Sequence, residues 1–385
     1  MKLRRPLFLS LLLLTGFFYY SQTGLTVIDS IKSGGVYRSY RLYIPTSYNG
    51  SKAFPLVLNL HGLSSSATEQ QVYSNFMPIA DTANFLVVHP EGSKNGSTQY
   101  WNVGIFGTTN DVGFLNELID SLSVHYTIDQ NAVYSCGLSN GGIMSYYLVC
   151  NLPAKLAAIA SVAGTMFRSW YFSCDPKFAI PVMEIHGTED GTIPYVGNST
   201  AGANGLYMPI DTVVQRWVFH NHCNPSVITK SLPDVNSSDF STVINYKYIN
   251  GVDKSMVELY KVLGGSHSWP GAIPLFFHTN EDFNASAEIW RFFRQFKRNQ
   301  FVTNVGVQER ETLLNSVKVF PNPGSTFLTI VGPEGARYSV LGLDGKKLLT
   351  ETVATTIDIS QLNGGLYFLK IEKDNTRAMI KIIKE

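Results

Sequence analysis

The chain has no excess of charge of either sign: Lys plus Arg number 30 against 29 Asp plus Glu, for a formal net charge of +1, and no basic block interrupts the balance. A nucleic-acid backbone is held by clustered cations, so this balance argues against nucleic acid as a partner. Cysteine is scarce, at four in 385 residues, which excludes a fold stapled by disulfides. No Gly-x-Gly-x-x-Gly opens a helix and no Walker loop is present, so no nucleotide cofactor is expected. Internal repeats and low-complexity tracts are also missing. Long apolar runs are nearly so: Leu7 to Tyr20 gives 14 residues, where a membrane-spanning helix needs about 20.

Aromatics, by contrast, are plentiful. With 20 Tyr, 23 Phe and 5 Trp, and 44% hydrophobic against 15% charged residues, the composition is that of a globular protein with ample core material. The opening Met-Lys-Leu-Arg-Arg, followed by the short apolar run, has the order of a secretory signal. Residues 1–22 are therefore expected to be removed near Ser21 to Thr23, leaving no membrane span in the mature chain. Outside the reducing cytoplasm disulfides can form. Cys136 lies in an apolar strand and reads as a buried free thiol, so Cys150, Cys174 and Cys223 allow at most one bridge, whose pairing stays open.

Tyr37 to Pro45 alternates polar and apolar residues as a half-buried edge strand does. Pro55–Leu60, Phe85–His89, Ala132–Cys136, Ala157–Val162 and Val182–His186 are instead nearly continuous apolar runs, the pattern of strands covered on both faces. Helix-like segments alternate with them, notably Asp111 to Tyr126, and an Asn-capped amphipathic helix is expected over Asn284 to Phe296. The alternation predicts an α/β class with a doubly wound, mostly parallel sheet over residues 23–298. Residues 299–315 are polar and patternless, a linker. Short runs separated by Pro-Asn-Pro, Gly-Pro, Asp-Gly and Gly-Gly then predict a small all-β sandwich over residues 316–385.

Gly137-Leu-Ser139-Asn-Gly141 stands between a buried strand and a helix-compatible segment, the setting of a nucleophile elbow. A serine hydroxyl needs a histidine to take its proton, and the histidine needs a carboxylate to orient it and stabilise its charge. In this setting the expected chain order is Ser, acid, His, each beyond a strand end. Asp190 follows the strand ending at His186, with Glu189 the alternative acid, and His267 follows Met256–Leu263 in a glycine loop. Oxyanion donors are expected at the backbone N–H groups of Asn140, just after the nucleophile, and Leu63, in the loop after an early strand. His220, His222 and Cys223 lack a fourth ligand and the usual zinc spacing, so no metal is expected.

LNLHG, YWNVG with NDVGF, VYSCGLSNGG, IHGTEDGTIPY and GGSHSWPG occur in this order over about residues 30 to 298. Together they resemble the secreted esterase family of polyhydroxybutyrate depolymerases and feruloyl or acetylxylan esterases. The resemblance implies an α/β-hydrolase fold and carboxylic-ester hydrolysis, with Ser139, Asp190 and His267 as nucleophile, acid and base. His61, Trp101 and Trp269 become candidates for substrate binding, although a buried aromatic is an equal reading of Trp101. Asn110-Asp111 resembles the family's Asp-Asp pair, from which Asn110 departs, or caps the helix that follows. Leu63 and Ser266 depart from the family pattern, and Leu63 leaves the choice of ester open.

VFPNP at 319–323, LDGK at 343–346, IDISQL at 357–362, GLYF at 365–368 and IKIIK at 380–384 resemble a second family, the C-terminal sorting domains of the type IX secretion system. That resemblance implies that the secretion machinery is a partner and that the protein is released or held at the outer cell surface. A carbohydrate-binding module is the other reading of a small C-terminal sandwich. For the whole chain, a serine peptidase of the same fold and a non-catalytic binding protein on a hydrolase scaffold are the rivals to an esterase.

Overall fold

The computed structural model of the protein describes residues 24–298 apart from 106, 153–154, 199–205 and 274–278, and residues 313 and 316–385 apart from 343–344, 354 and 375. The expected signal segment lies outside the described residues, as does the expected linker except for Leu313.

The first half runs β1 (Leu25–Ser33), β2 (Val36–Ile44), β3 (Phe54–Leu60), α1 (Ala67–Ser74), α2 (Met77–Ala83), β4 (Leu86–Pro90), β5 (Ser93–Asn95), β6 (Thr98–Tyr100), α3 (Asp111–His125), β7 (Ile128–Leu138) and α4 (Asn140–Asn151). The second continues with β8 (Ala158–Val162), α5 (Arg168–Tyr171), β9 (Val182–Gly187), α6 (Ile210–His220), β10 (Ile228–Ser231), β11 (Thr242–Tyr248), β12 (Val257–Leu263) and α7 (Ala285–Phe293). Ten of these strands form one sheet in the order β1-β2-β4-β3-β7-β8-β9-β12-β11-β10. β4, β3, β7, β8, β9 and β12 pair in parallel, and two antiparallel strands extend each side.

The apolar runs become interior strands because both faces of the sheet are covered: every residue of β4, β8 and β9 is buried. Alternate side chains feed two cores. On one face Leu56, Leu58, Val133 and Ile159 pack with Phe114 and Leu118 of α3 and Val213 and Trp217 of α6. On the other, Val57, Tyr134, Cys136, Met183 and Ile185 pack with Phe76 near α2 and Ile289, Phe292 and Phe293 of α7. α7 begins at the expected cap, where Asn284 Oδ1 accepts the Ala287 N–H at 2.9 Å.

One expectation shifts. The Tyr37 to Pro45 segment, predicted as an edge strand, is β2 and lies second in the sheet; the edge is β1, paired with it from Leu25↔Ile44 to Ser33↔Val36. β1 is mostly exposed or half-buried, so it has no apolar run to announce it. Cys136 is a buried free thiol, and the bridge is Cys150–Cys174, which leaves Cys223 free and buried.

The C-terminal region is all-β: β13 (Lys318–Phe320), β14 (Phe327–Val331), β15 (Arg337–Leu341), β16 (Lys347–Thr352), β17 (Thr356–Asp358), β18 (Gly365–Lys373) and β19 (Thr376–Lys384). They form a sheet β13-β14-β17 and a sheet β16-β15-β18-β19. Leu328 and Ile330 from the first share a buried core with Val340, Leu369, Ile371 and Ile382 from the second.

Candidate active site

Sheet order sets the location. β3 and β7 are neighbours, and the crossover from β3 runs to β4 on one side while that from β7 runs to β8 on the other, so a crevice opens beyond the carboxyl ends of β3 and β7 at this switch point. The loop Leu60-His61-Gly62-Leu63 leaves one of these strands and Ser139 leaves the other. A cavity of about 480 Å³ sits there, with Ser139, Asn140, Leu63, Trp101 and His267 in its lining.

Ser139 takes φ 54° and ψ −117° at the start of α4, a backbone conformation that is costly for a residue with a side chain. Its neighbours make the sharp turn feasible. A methyl group at Gly141 would stand 2.1 Å from the Leu60 carbonyl oxygen, and one at Gly137 would stand 2.5 Å from the same atom. The turn is pinned to the sheet by the Ser139 N–H, which donates to the Val162 carbonyl at 2.8 Å. Asn140 is the first residue of α4, so its N–H has no acceptor four residues back and carries the positive end of the helix dipole.

The expected acid and histidine follow β9 and β12. His267 Nδ1 lies 2.7 Å from Asp190 Oδ2, while Asp190 Oδ1 accepts the N–H groups of Thr192 and Ile193, each at 2.8 Å. Burial opposes the charge on Asp190, but hydrogen bonding from His186 and His267 outweighs it and holds the carboxyl well below the usual range. Gly187 lets the two loops meet, since a methyl group there would stand 2.1 Å from the Gly265 carbonyl oxygen. Glu189, the alternative acid, has no contact with His267 among the side-chain bonds of that pair; its N–H donates to the Gly265 carbonyl at 2.9 Å.

Three expected binding residues part company. Trp101 is fully buried yet forms part of the cavity wall. His61 and Trp269 are buried and lie outside the lining of this cavity. His61 stands behind Trp101: its carbonyl accepts the indole N–H at 3.0 Å, its Nε2 accepts the Gly92 N–H at 2.9 Å and its Nδ1 donates to the Gly62 carbonyl at 2.7 Å. Burial pushes its pKa down to about 4, which keeps the ring neutral in that one tautomer. Trp269 fastens the His267 loop to the far core, donating from Nε1 to Ser286 Oγ at 3.0 Å and packing edge-on against Phe76. His220 bonds the Phe178 carbonyl at 3.0 Å, and burial pushes the Cys223 thiol up to about 12. Among the described residues no group of three His, Cys, Asp or Glu is placed to hold a metal ion.

The structure adds roles that the motifs did not announce. The Asn140 side chain clamps Trp101: Oδ1 accepts the Trp101 N–H at 2.6 Å and Nδ2 donates to the Trp101 carbonyl at 3.2 Å. Asn110 does cap α3, accepting the Gly113 N–H at 2.8 Å. Asp111 does more, joining Arg38, Ser93 Oγ and the Asn102 N–H at 2.7 to 2.8 Å and so holding together the loops that form this wall. Phe167 and Tyr207, which pair as an isolated bridge with rings 5.1 Å apart, form part of the rest of the lining.

Residues 106–209, which span the elbow and Asp190, match the phospholipase/carboxylesterase family, and residues 318–385 match the secretion system C-terminal sorting domain. The chain carries a carboxylesterase-family domain and a C-terminal sorting domain. It is 30% identical over 170 residues to the bifunctional acetylxylan esterase/xylanase of Neocallimastix patriciarum, covering 44% of this chain and 24% of that one. It is 26% identical over 288 residues to feruloyl esterase D of Neurospora crassa, covering 71% and 87%. With the poly(3-hydroxybutyrate) depolymerase of Ralstonia pickettii the identity is 26% over 280 residues, covering 63% and 53%. The chain thus spans only about a quarter of the length of the first of these relatives. The sorting domain marks the chain for type IX secretion, to the cell surface or the medium. No helix among the described residues is long and apolar enough to cross a membrane.

Proposed function

We propose that the protein is a secreted serine carboxylic-ester hydrolase acting through an acyl-enzyme, with residues 23–298 as the catalytic unit and 316–385 as the sorting unit. One observation supports this most: the 2.7 Å contact between His267 and Asp190 opens, through His267, on the same cavity as Ser139 at its strained turn. His267 Nε2 takes the hydroxyl proton as Ser139 Oγ attacks the ester carbonyl, and Asp190 stabilises the imidazolium. The N–H groups of Asn140 and Leu63 hold the developing oxyanion. The imidazolium returns its proton to the departing alcohol. Water, deprotonated by His267, then attacks the acyl-enzyme, releases the acid and restores Ser139.

An acyl group that is flat and apolar suits a wall containing Tyr100, Trp101, Phe167 and Tyr207. Hydroxycinnamoyl esters are therefore the preferred substrates within the class of polymer-linked esters, ahead of acetyl and hydroxyalkanoate esters. The test is hydrolysis of methyl ferulate, acetylated xylan, hydroxybutyrate oligomers and p-nitrophenyl acetate by the wild type and Ser139→Ala. Turnover of methyl ferulate with the highest kcat/KM, abolished by Ser139→Ala, is expected. Undiminished turnover by Ser139→Ala would overturn the mechanism, and turnover of a peptide amide without any ester would favour a peptidase.

A further inference from the structure

Asp190 Oδ2 serves two histidines. His267 Nδ1 stands 2.7 Å from it, and His186 Nε2 stands 3.3 Å from the same atom, inside the protein. His186 is the second-to-last residue of β9, and its side chain, like those of Glu184 and Asp190, is fully buried. Every neighbour of its ring nitrogens is an acceptor: Nδ1 faces Glu184 Oε1 at 3.2 Å, and Nε2 faces the Ile193 carbonyl at 2.8 Å as well as Asp190. Glu184 is itself fixed from α4, where the Tyr146 hydroxyl donates to Oε2 at 2.8 Å.

With Glu184 ionised, a neutral imidazole, which has one N–H, would set a lone pair against an acceptor at its other nitrogen; burial raises the Glu184 pKa against the bonds from His186 and Tyr146. A doubly protonated ring satisfies both. Burial works against that charge, but the bonds to Asp190 and Glu184 outweigh it and raise the His186 pKa to about 9. The other polar groups around the ring do not supply the charge. Tyr195 packs edge-on, and its hydroxyl is committed to Asp211 at 2.5 Å. Lys261, the register partner of His186 on β12, extends over the Tyr195 ring at 4.4 Å from its centroid and lies 3.8 Å from Asp211.

We propose that His186, held by Glu184, is a buried cationic positioning residue that shares Asp190 Oδ2 with His267 and limits how strongly that carboxylate favours the His267 imidazolium. The inference rests on the reading of Ser139, Asp190 and His267 as a triad. Its consequence is that His267 stays an available base to lower pH than a simple Asp–His pair would allow. A positive charge on the far side of the carboxylate disfavours a second one on the near side.

The test is His186→Gln, which keeps a neutral donor but removes the charge, with Glu184→Gln as a milder variant that preserves volume. His267 titration is followed by NMR on the full chain with isotope-labelled histidine, and the acid limb of kcat/KM is measured alongside. Both midpoints should rise by about one pH unit in His186→Gln and by less in Glu184→Gln. A purely structural role would lower the melting temperature and the active fraction but leave both midpoints in place, and that result would overturn the proposal. If the wild type hydrolysed no ester while the His267 midpoint still moved, the triad reading would fall and the coupling would stand.

Discussion

The two sides of the cavity are held by different physics. The Ser139 side is fixed by backbone: a strained turn at φ 54°, glycines at 137 and 141 that leave no room for a methyl group, and a strand on either side. The Asp190–His267 side is fixed by charge, through a carboxylate with a histidine on each face of its reach and two backbone N–H groups on its other oxygen. Loss of packing should therefore break the first through folding, and loss of a proton or a charge should break the second while the fold persists.

The largest effects are expected on the charged side. His267→Ala should lower kcat by about 10⁶-fold and Asp190→Asn by about 10⁴-fold, with circular dichroism and melting temperature little changed. On the backbone side, Gly141→Ala should reduce stability by on the order of 3 kcal/mol, because the Leu60 carbonyl cannot yield without moving β3; denaturant melts read this directly. A Gly141→Ala protein as stable as the wild type would break the comparison.

The pH dependence of stability sharpens it. The His186 pKa is raised from 6.5 to about 9, so its contribution is fully present below the lower value and fades as pH rises through the upper one. That of Asp190, held low, is present above its ordinary value of 3.8 and fades only in stronger acid. Buried His61 and His89, whose pKa values burial lowers from 6.5, lose their contribution as pH falls below that value, so melting temperature should be highest near 6.5 and fall toward both limits, and His186→Gln should flatten the alkaline slope. The smallest effect belongs to Gly191→Ala, beside Asp190, where a new methyl group meets nothing within 4 Å. Stability should change by no more than about 0.5 kcal/mol there, in the favourable direction.

The same contrast explains what was legible in the sequence. Close backbone approaches demand glycine, so the elbow and the Gly187 contact leave a visible pattern around Ser139 and Asp190. The interior strands were equally plain, because burial on both faces removes polar residues from them. Side-chain networks leave less trace. His186 reads as one more strand-end histidine until Glu184 and Asp190 are seen on either side of it, and Asn140 offered only its N–H until its side chain met Trp101. His61 and Trp269, candidates for substrate binding through the family resemblance, are buried outside the cavity lining. β1 was missed because an exposed edge strand needs no apolar run.

The most direct measurement of the central claim is labelling of the folded protein with a fluorophosphonate probe, followed by mass mapping of the adduct. One adduct per chain is predicted, on Ser139, absent from Ser139→Ala and strongly slowed in His267→Ala. A folded protein that stays unlabelled, or an adduct on any other residue, would contradict the account.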